Sequence, residues 1–394
     1  MRVLVLSNRI PYPTKDGGAI AMYNMLKSIR SFCDDLTLFA LNTKKHFQSE
    51  TQISNAFQSI CKVRAPYIDT DVRIFDALVN LFTRKSYNIE RFYKDSVNEQ
   101  LISLLKSEKF DVIQFETLFT CEYIHTVKKY SNAKLIYRPH NVESQIWFRL
   151  AEKASGFKKI YLKLLAKRIQ NYELEVPKYF DFIFPITEID EKYFNKQFPK
   201  VPTQVIPVAL SIEPPQNVNI TTESNSIFHI GSLDWLPNQE AVVWFVENVI
   251  QLLKQNSWNH KFYIAGKNTP DKIFKLENEN VKVLGEVDDA KTFMLSKDIM
   301  VVPLFSGGGM RVKIIEGLSL GKVIISSNVG VEGIPCKHMH DIIIANNAEE
   351  FKNAILWCER NPAELSKISE NARLLASKYN IENIGNSILP FYQS

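Results

Sequence analysis

Three consecutive glycines, Gly307, Gly308 and Gly309, stand just ahead of Arg311 and Lys313, and Glu316 follows within one helical turn of Lys313. Glycine lets main-chain amides approach a ligand with no Cβ in the way, and the first amides of a helix have no acceptor within it. The spacing predicts a helix opened by these glycines and running to Leu320, directly after a strand at Ile299–Leu304. Cations in a first helical turn oppose the helix dipole, and an anion bound there would offset the misfit. The pattern reads as an anion site; the plainer reading is a flexible turn with a surface Lys313–Glu316 pair at i,i+3 spacing. Glu316 lies too far along the helix to cap it. Its carboxylate suits a pair of ligand hydroxyls, or solvent alone.

The elements that must position these groups alternate along the chain. Apolar runs at Val3–Ser7, Leu36–Leu41, Asp111–Glu116, Leu135–His140 and Phe182–Thr187 read as strands in the first half. Helical periodicity lies between them, at Gly18–Phe32, at Ser96–Ser107 and in one long pattern within Glu143–Val176. A second set, Ile227–Ser232, Lys261–Gly266, Val281–Glu286, Ile299–Leu304 and Val323–Ser327, follows a stretch carrying Pro199, Pro202, Pro207, Pro214 and Pro215. That stretch reads as the linker, with Gln204–Val208 as a further strand candidate. Strand–helix alternation implies parallel sheets covered on both faces, and 394 residues imply two domains. We expect an α/β chain with domains at 1–205 and 206–378. Helical patterns at Pro362–Lys378 and Ile381–Tyr392 close the chain, and residues 379–394 are expected to cross back to the first domain. Ligands of open α/β sheets bind at the strand C-terminal ends, which two such domains would turn toward a shared cleft.

Several other residues sit at those ends. Gly17 and Gly18, in PYPTKDGGAIAMYNML, open a helix after the first strand, as a ligand loop or as a simple turn. His140, in IYRPHNVES, ends a strand, where it serves as a structural histidine or as a donor or acceptor near neutral pH. Asn141, Glu143 and Ser144 beside it suit N-terminal capping equally well. Asn238 and Asp288 are read as N-caps of their helices.

In these residues the chain resembles a retaining, GT-B-fold glycosyltransferase of the large family 4. The stretch SGGGMRVKIIEGLSLGKVIISS (Ser306 to Ser327) is similar to that family's Glu-x7-Glu signature and the small residue and strand that follow it. Glu316 matches the second glutamate, which in the family binds ribose. The first, a donor-sugar contact, falls on Gly308, and Gly-Gly-Gly-x-Arg-x-Lys-Ile-x-Glu resembles one branch of the family. The resemblance implies two Rossmann-like domains facing across a cleft and a nucleoside-diphosphate sugar as donor. It implies a saccharide or lipid-linked acceptor, and cell-surface polysaccharide or glycolipid assembly in bacteria as the setting. It places His140 near the reacting centre, Gly231 in the first loop of the donor domain, and the base against the backbone near Gly285–Val287. Where many relatives carry a cationic clamp, this chain has Ser232-Leu233-Asp234-Trp235. Arg311 and Lys313, helped by Lys267, are therefore expected to take that charge, with the amides of Gly307, Gly308 and Gly309. No cofactor and no metal are expected. A front-face reaction is implied, since no carboxylate stands out as a nucleophile. The rival readings are a nucleotide-sugar epimerase of the same fold, a phosphorylase with a lysine-bound cofactor, and a non-catalytic nucleotide-sugar-binding protein.

Composition narrows the setting. A net charge of +5 is small for 394 residues, and nothing resembles a nucleic-acid module. Five scattered cysteines without a CxxC pair point to a reducing compartment. Val3–Ser7 reads as a buried strand, its apolar run being too short for a signal peptide, and no run approaches the roughly 20 apolar residues of a spanning helix. The cytoplasm, or the inner face of the plasma membrane, is expected. Residues 156–176 interleave Lys158, Lys159, Lys163, Lys167 and Arg168 with apolar side chains. The pattern suits contact with an anionic membrane, or a helix packed on its own sheet with a solvated basic face.

Overall fold

The computed structural model describes residues 1–71, 86–212, 220–255 and 260–394. It divides into two compact units, Met1–Ala209 with Ile381–Ser394, and Leu210–Asn380. In the first, β1 (Arg2–Ser7), β2 (Asp35–Ala40), β3 (Lys62–Arg64), β4 (Val112–Glu116), β5 (Lys134–Arg138) and β6 (Phe182–Ile183) form one sheet in the order β3-β2-β1-β4-β5-β6. Every pairing is parallel. The period of two in β1 explains why both faces are covered. Leu4 and Leu6 pack with Leu101, Leu104 and Ile169 on one side, and Val3 and Val5 with Met25, Leu26 and Ile29 on the other.

The second unit repeats this plan with β7 (Glu223–Ile230), β8 (Phe262–Ala265), β9 (Val281–Gly285), β10 (Lys297–Val302), β11 (Val323–Ser326) and β12 (Ile343–Ile344). Their order is β9-β8-β7-β10-β11-β12, again all parallel. In each sheet the chain winds outward from its first strand on one side and then returns to wind on the other. The loops after β1 and β4, and after β7 and β10, therefore leave in opposite directions and open a crevice at the strand C-terminal ends.

Four expected elements differ. The helical pattern within 143–176 is two helices, Glu143–Lys153 and Gly156–Glu173, broken where Gly156 adopts φ +56°. The strand expected at Phe182–Thr187 stops at Ile183, and that expected at Leu135–His140 stops at Arg138. Gln204–Val208 forms no strand; only Thr203 bridges to Ile183. Of the linker prolines, Pro214 and Pro215 lie outside the described residues. The edge strands β3 and β12 escaped the sequence reading because short edge segments need no long apolar run.

The last helix, Ile381–Gln393, lies in the first unit against the helix Gly17–Arg30, and Ser28 Oγ donates to the Ile381 carbonyl at 2.9 Å. A Cβ on Gly385 would stand 2.9 Å from the Ser28 carbonyl oxygen, so glycine is what permits the close approach.

Candidate functional site

In the second unit the crevice between β7 and β10 collects most of the residues singled out from sequence. Gly231 leaves β7, and a Cβ there would stand 2.8 Å from Asn238 Nδ2 and 3.0 Å from Lys313 Nζ. The missing side chain is what lets the amine reach the main chain. Lys313 Nζ donates to Asn238 Oδ1 at 2.9 Å and to His229 Nε2 at 3.1 Å. His229 Nδ1 lies 2.9 Å from the Val301 carbonyl, so Nδ1 carries the proton and Nε2 is left as the acceptor for Lys313. Burial, and then the Lys313 charge, hold His229 well below the usual histidine range, so it stays neutral. Burial, and then the Arg311 charge, pull Lys313 well below the usual lysine range. Both hydrogen-bond partners of this half-buried amine are uncharged, and among the described residues no ion pair joins it to a carboxylate.

The glycines do not open the helix. The helix begins at Val312 and ends at Ser319, and Gly307 and Gly309 adopt φ +102° and +81°, which turn the chain away from helical geometry. Arg311 thus sits at the cap position, outside the first turn. Its Nη1 folds back to donate to the carbonyls of Gly308 and Gly309, and its guanidinium lies 5.3 Å from the centre of the Trp235 ring. A Cβ on Gly307 would stand 2.7 Å from that ring. Arg311 shapes the loop, while Lys313 is the cation directed at Gly231. A Gly307→Ala variant combines the left-handed backbone with a clash on Trp235; we expect a loss of roughly 2 kcal/mol in urea unfolding. A loss below a few tenths would contradict this packing.

Glu316 lies on the same helix as Lys313, half-buried, and burial lifts its carboxyl to about 7 against the opposing charge of Lys291. Val287 is half-buried in the turn after β9. Lys267 follows β8, and its charge is one of the influences that hold Asp234 low, after the Ser232 and Asn268 hydrogen bonds. Asn238 is no N-cap: Trp235 holds that position, and Asn238 is drawn inward, donating to the Ser232 carbonyl at 2.8 Å while accepting from Lys313. Asp289, one residue beyond the expected Asp288, caps the helix Ala290–Leu295 by accepting from the Thr292 amide at 2.6 Å.

In the first unit, the helix opened by Gly17 and Gly18 is capped by Asp16, which accepts from the Ala19 amide at 3.0 Å and pairs with Arg9. The Arg9 guanidinium lies over Gly18, 2.8 Å from where a Cβ would stand. His140, two residues past β5, joins a cluster the sequence reading did not assemble. The sheet register aligns Ser7 with Glu116 and Glu116 with Arg138, so the cluster sits on the C-terminal edge of β1, β4 and β5. Glu116 Oε2 accepts from Arg138 Nη1 at 3.0 Å and from His140 Nε2 at 2.6 Å. Its Oε1 accepts from Gln114 Nε2 at 2.6 Å, and Tyr392 of the last helix donates to Gln114 Oε1. Burial alone would raise Glu116, but the Arg138 charge and the His140 hydrogen bond hold it below the usual range. Burial lowers His140 despite Glu116. A short contact to an ionised carboxylate needs a proton on Nε2, so neutral His140 presents Nδ1 as an acceptor.

Thr117, directly after Glu116, is buried at φ +70° and ψ 161°, a strained conformation for a β-branched residue. Its amide is held by the Arg138 carbonyl at 3.1 Å. Glu173, from the neighbouring helix, supplies the cap expected from Asn141, Glu143 and Ser144. It accepts from the Glu143 amide at 2.7 Å and from Ser144 Oγ. Burial, and then Glu173, lift the Glu143 carboxyl to about 8. Glu116, Arg138 and His229 share one signal that could have flagged them: each is an ionisable residue directly after an apolar residue at or near the C-terminal end of its strand.

The fold these units define is the GT-B class, two Rossmann-like domains in one chain. Residues 224–361 match the model of a family described as glycosyl transferases group 1. Across 404 aligned positions the chain is 21% identical to an uncharacterized 44.6 kDa protein in the cps region of Klebsiella pneumoniae, covering 98% of each. Among solved structures it is similar to Anabaena Alr3699/HepE in complex with UDP, at 14% identity and a TM-score of 0.66 over 100% of both chains. It is also similar to sucrose-phosphate synthase from Thermosynechococcus elongatus, at 12% identity and a TM-score of 0.70 over 100% of this chain and 98% of that one. TarM gives a TM-score of 0.71 at 12% identity, over 100% and 99%.

Proposed function

We propose that this protein is a retaining glycosyltransferase that moves a sugar from a nucleoside-diphosphate sugar to an acceptor hydroxyl, without a metal, in bacterial cell-surface polysaccharide or glycolipid assembly. The observation that carries the reading is the Lys313 amine, held by two uncharged partners against the bare backbone of Gly231, in the crevice between β7 and β10. A desolvated cation without a counter-charge favours an anion, and a diphosphate fits where main chain is exposed by glycines. On this reading Lys313 and the 307–309 loop, shaped by Arg311, stabilise the diphosphate as it departs, and Lys267 adds positive potential. Glu316 accepts from the ribose hydroxyls, and the backbone at Val287 receives the base. In the first unit, Gly17 and Gly18 are assigned to donor binding. His140, oriented by Glu116, acts at the reacting centre through Nδ1. The UDP and UDP-glucose complexes of Anabaena Alr3699/HepE support the donor class, and the cps-region relative supports the cell-surface setting.

A thermal-shift screen of UDP-, GDP-, ADP- and dTDP-sugars tests the reading. At least one should raise Tm in a dose-dependent way, and a flat response across the panel would overturn it. The nuclear magnetic resonance spectrum of the product would report the anomeric configuration, and inversion would exclude the retaining route. The pH dependence has a definite sign. Glu316 is lifted to about 7, so in the folded protein it is neutral well below that pH and accepts strongly from both ribose hydroxyls only once ionised. Affinity for the screened nucleotide sugar should therefore rise roughly tenfold between pH 6 and 8, and the rise should vanish in Glu316→Gln. Since burial raises this carboxyl, its contribution to stability runs the other way, being greatest below the unfolded value and lost as pH climbs toward 7.

A further inference from the structure

The helix Gly156–Glu173 presents a face that nothing in the donor-site reading uses. Its C-terminal half packs into the first unit through Leu165, Ala166 and Ile169. Toward its N-terminus, Phe157 is 92% exposed, Ile160 67% and Leu164 38%. At about 100° per residue, spacings of i, i+3 and i+7 put these three within one narrow arc, on the side opposite the buried Ala166 and Ile169. Leu150 of the neighbouring helix Glu143–Lys153 is exposed as well. Lys163 and Lys167 border the apolar arc on one side, and Lys158 stands exposed near the helix start. The helix carries Lys158, Lys159, Lys163, Lys167 and Arg168 against a single acid, Glu173, which is buried as the cap of the preceding helix.

We infer that this face docks on an anionic lipid surface. A phenylalanine left almost wholly in water on a helix is unfavourable, and a row of lysines beside it is what distinguishes a lipid headgroup layer from an apolar protein groove as its cover. Phe157, Ile160 and Leu164 would enter the acyl boundary while Lys158, Lys163 and Lys167 meet the phosphates. The helix would lie on the surface, because no helix among the described residues is long and apolar enough to cross a membrane. This inference is independent of the donor site and survives if that reading fails.

Flotation of the full chain with vesicles tests it. Binding is expected to phosphatidylcholine vesicles carrying phosphatidylglycerol, weaker at high salt, and not to pure phosphatidylcholine. Reversing Lys158, Lys163 and Lys167 to glutamate should lower partitioning by roughly 100-fold or more, about fivefold or more for each site. Phe157→Ser with Ile160→Ser should lower it at unchanged net charge. All five positions are solvent-facing, so Tm should hold in both variants and loss of binding cannot be traced to unfolding. Failure to float with anionic vesicles at low salt would overturn the inference, as would binding that ignores either variant. Self-association in sedimentation that Phe157→Ser abolishes, without any lipid binding, would assign the face to a second copy and equally overturn it.

Discussion

Replacing Lys313 by alanine is expected to weaken nucleotide-sugar binding by about 100-fold, since a charge-assisted hydrogen bond in a half-desolvated site is worth roughly 3 kcal/mol. The reason lies in what surrounds the amine. His229 Nε2 and Asn238 Oδ1 orient it but neutralise nothing, and Arg311 nearby raises the cost of its charge. In the free protein that charge is a liability, so its removal should change Tm little; the loss of two hydrogen bonds and the relief of desolvation oppose one another. The effect should appear only when an anion is bound. Arg311→Ala is expected to differ: its Nη1 bonds to Gly308 and Gly309 and its stacking on Trp235 maintain the loop, so stability should fall along with affinity. Calorimetric titration with the nucleotide sugar identified by the thermal-shift screen, read beside Tm, separates the two. Unchanged affinity in Lys313→Ala would remove the central element of the proposed site.

Glu116→Ala should cost the first unit roughly 3–5 kcal/mol, the loss typical when one partner of a buried ion pair is removed. Arg138 is 0% exposed and Glu116 1%, so the orphaned guanidinium would have no access to water. Glu116 also receives His140 and, through Gln114, the hydroxyl of Tyr392, so one deletion loosens β4, β5 and the last helix together. Tyr392→Phe removes only the outermost link and should cost about 1 kcal/mol. The pH dependence follows from two depressed values. His140 favours the fold above its unfolded value of about 6.5 and loses that contribution as pH falls through its lower folded value. Glu116 favours the fold above its unfolded value near 4.5, and that contribution is lost on further acidification, once it protonates in the folded state. Hydrogen exchange of β4 and β5 amides in urea would measure both effects, compared between about pH 7.5 and 5 for His140 and between about pH 5 and 3 for Glu116. A Glu116→Ala penalty under 1 kcal/mol would show that the cluster is not the buried network described.

Much of the architecture was legible because its signals are local. Apolar runs of strand length, separated by helical periodicity, read directly as β1, β2, β4 and β7 to β11, since a doubly covered parallel strand must be apolar on both faces. The glycines, Lys313 and Glu316 were legible for a related reason: bare backbone and an acid or base at a strand end are unusual enough to carry information. Boundaries were less so. The helix after the glycines starts at Val312 because Gly307 and Gly309 take left-handed dihedrals, and a glycine tolerates either hand until its neighbours choose.

Partnerships were not legible at all. Nothing local sends Asn238 inward to Lys313 instead of to its own helix, ties His229 to the same amine, or lays Trp235 over Gly307. Glu116, Arg138, His140 and Tyr392 are spread over 277 positions of sequence, and it is the register of β4 on β5 and the return of the last helix that bring them together. The sequence by itself determined which groups had to be buried, bare or charged, because hydrophobic period, glycine and ionisable type act within a few residues. Only the tertiary structure decided which charge answers which, because in a buried site the energy of an ionisable group depends on neighbours within about 4 Å, and those neighbours arrive from other elements.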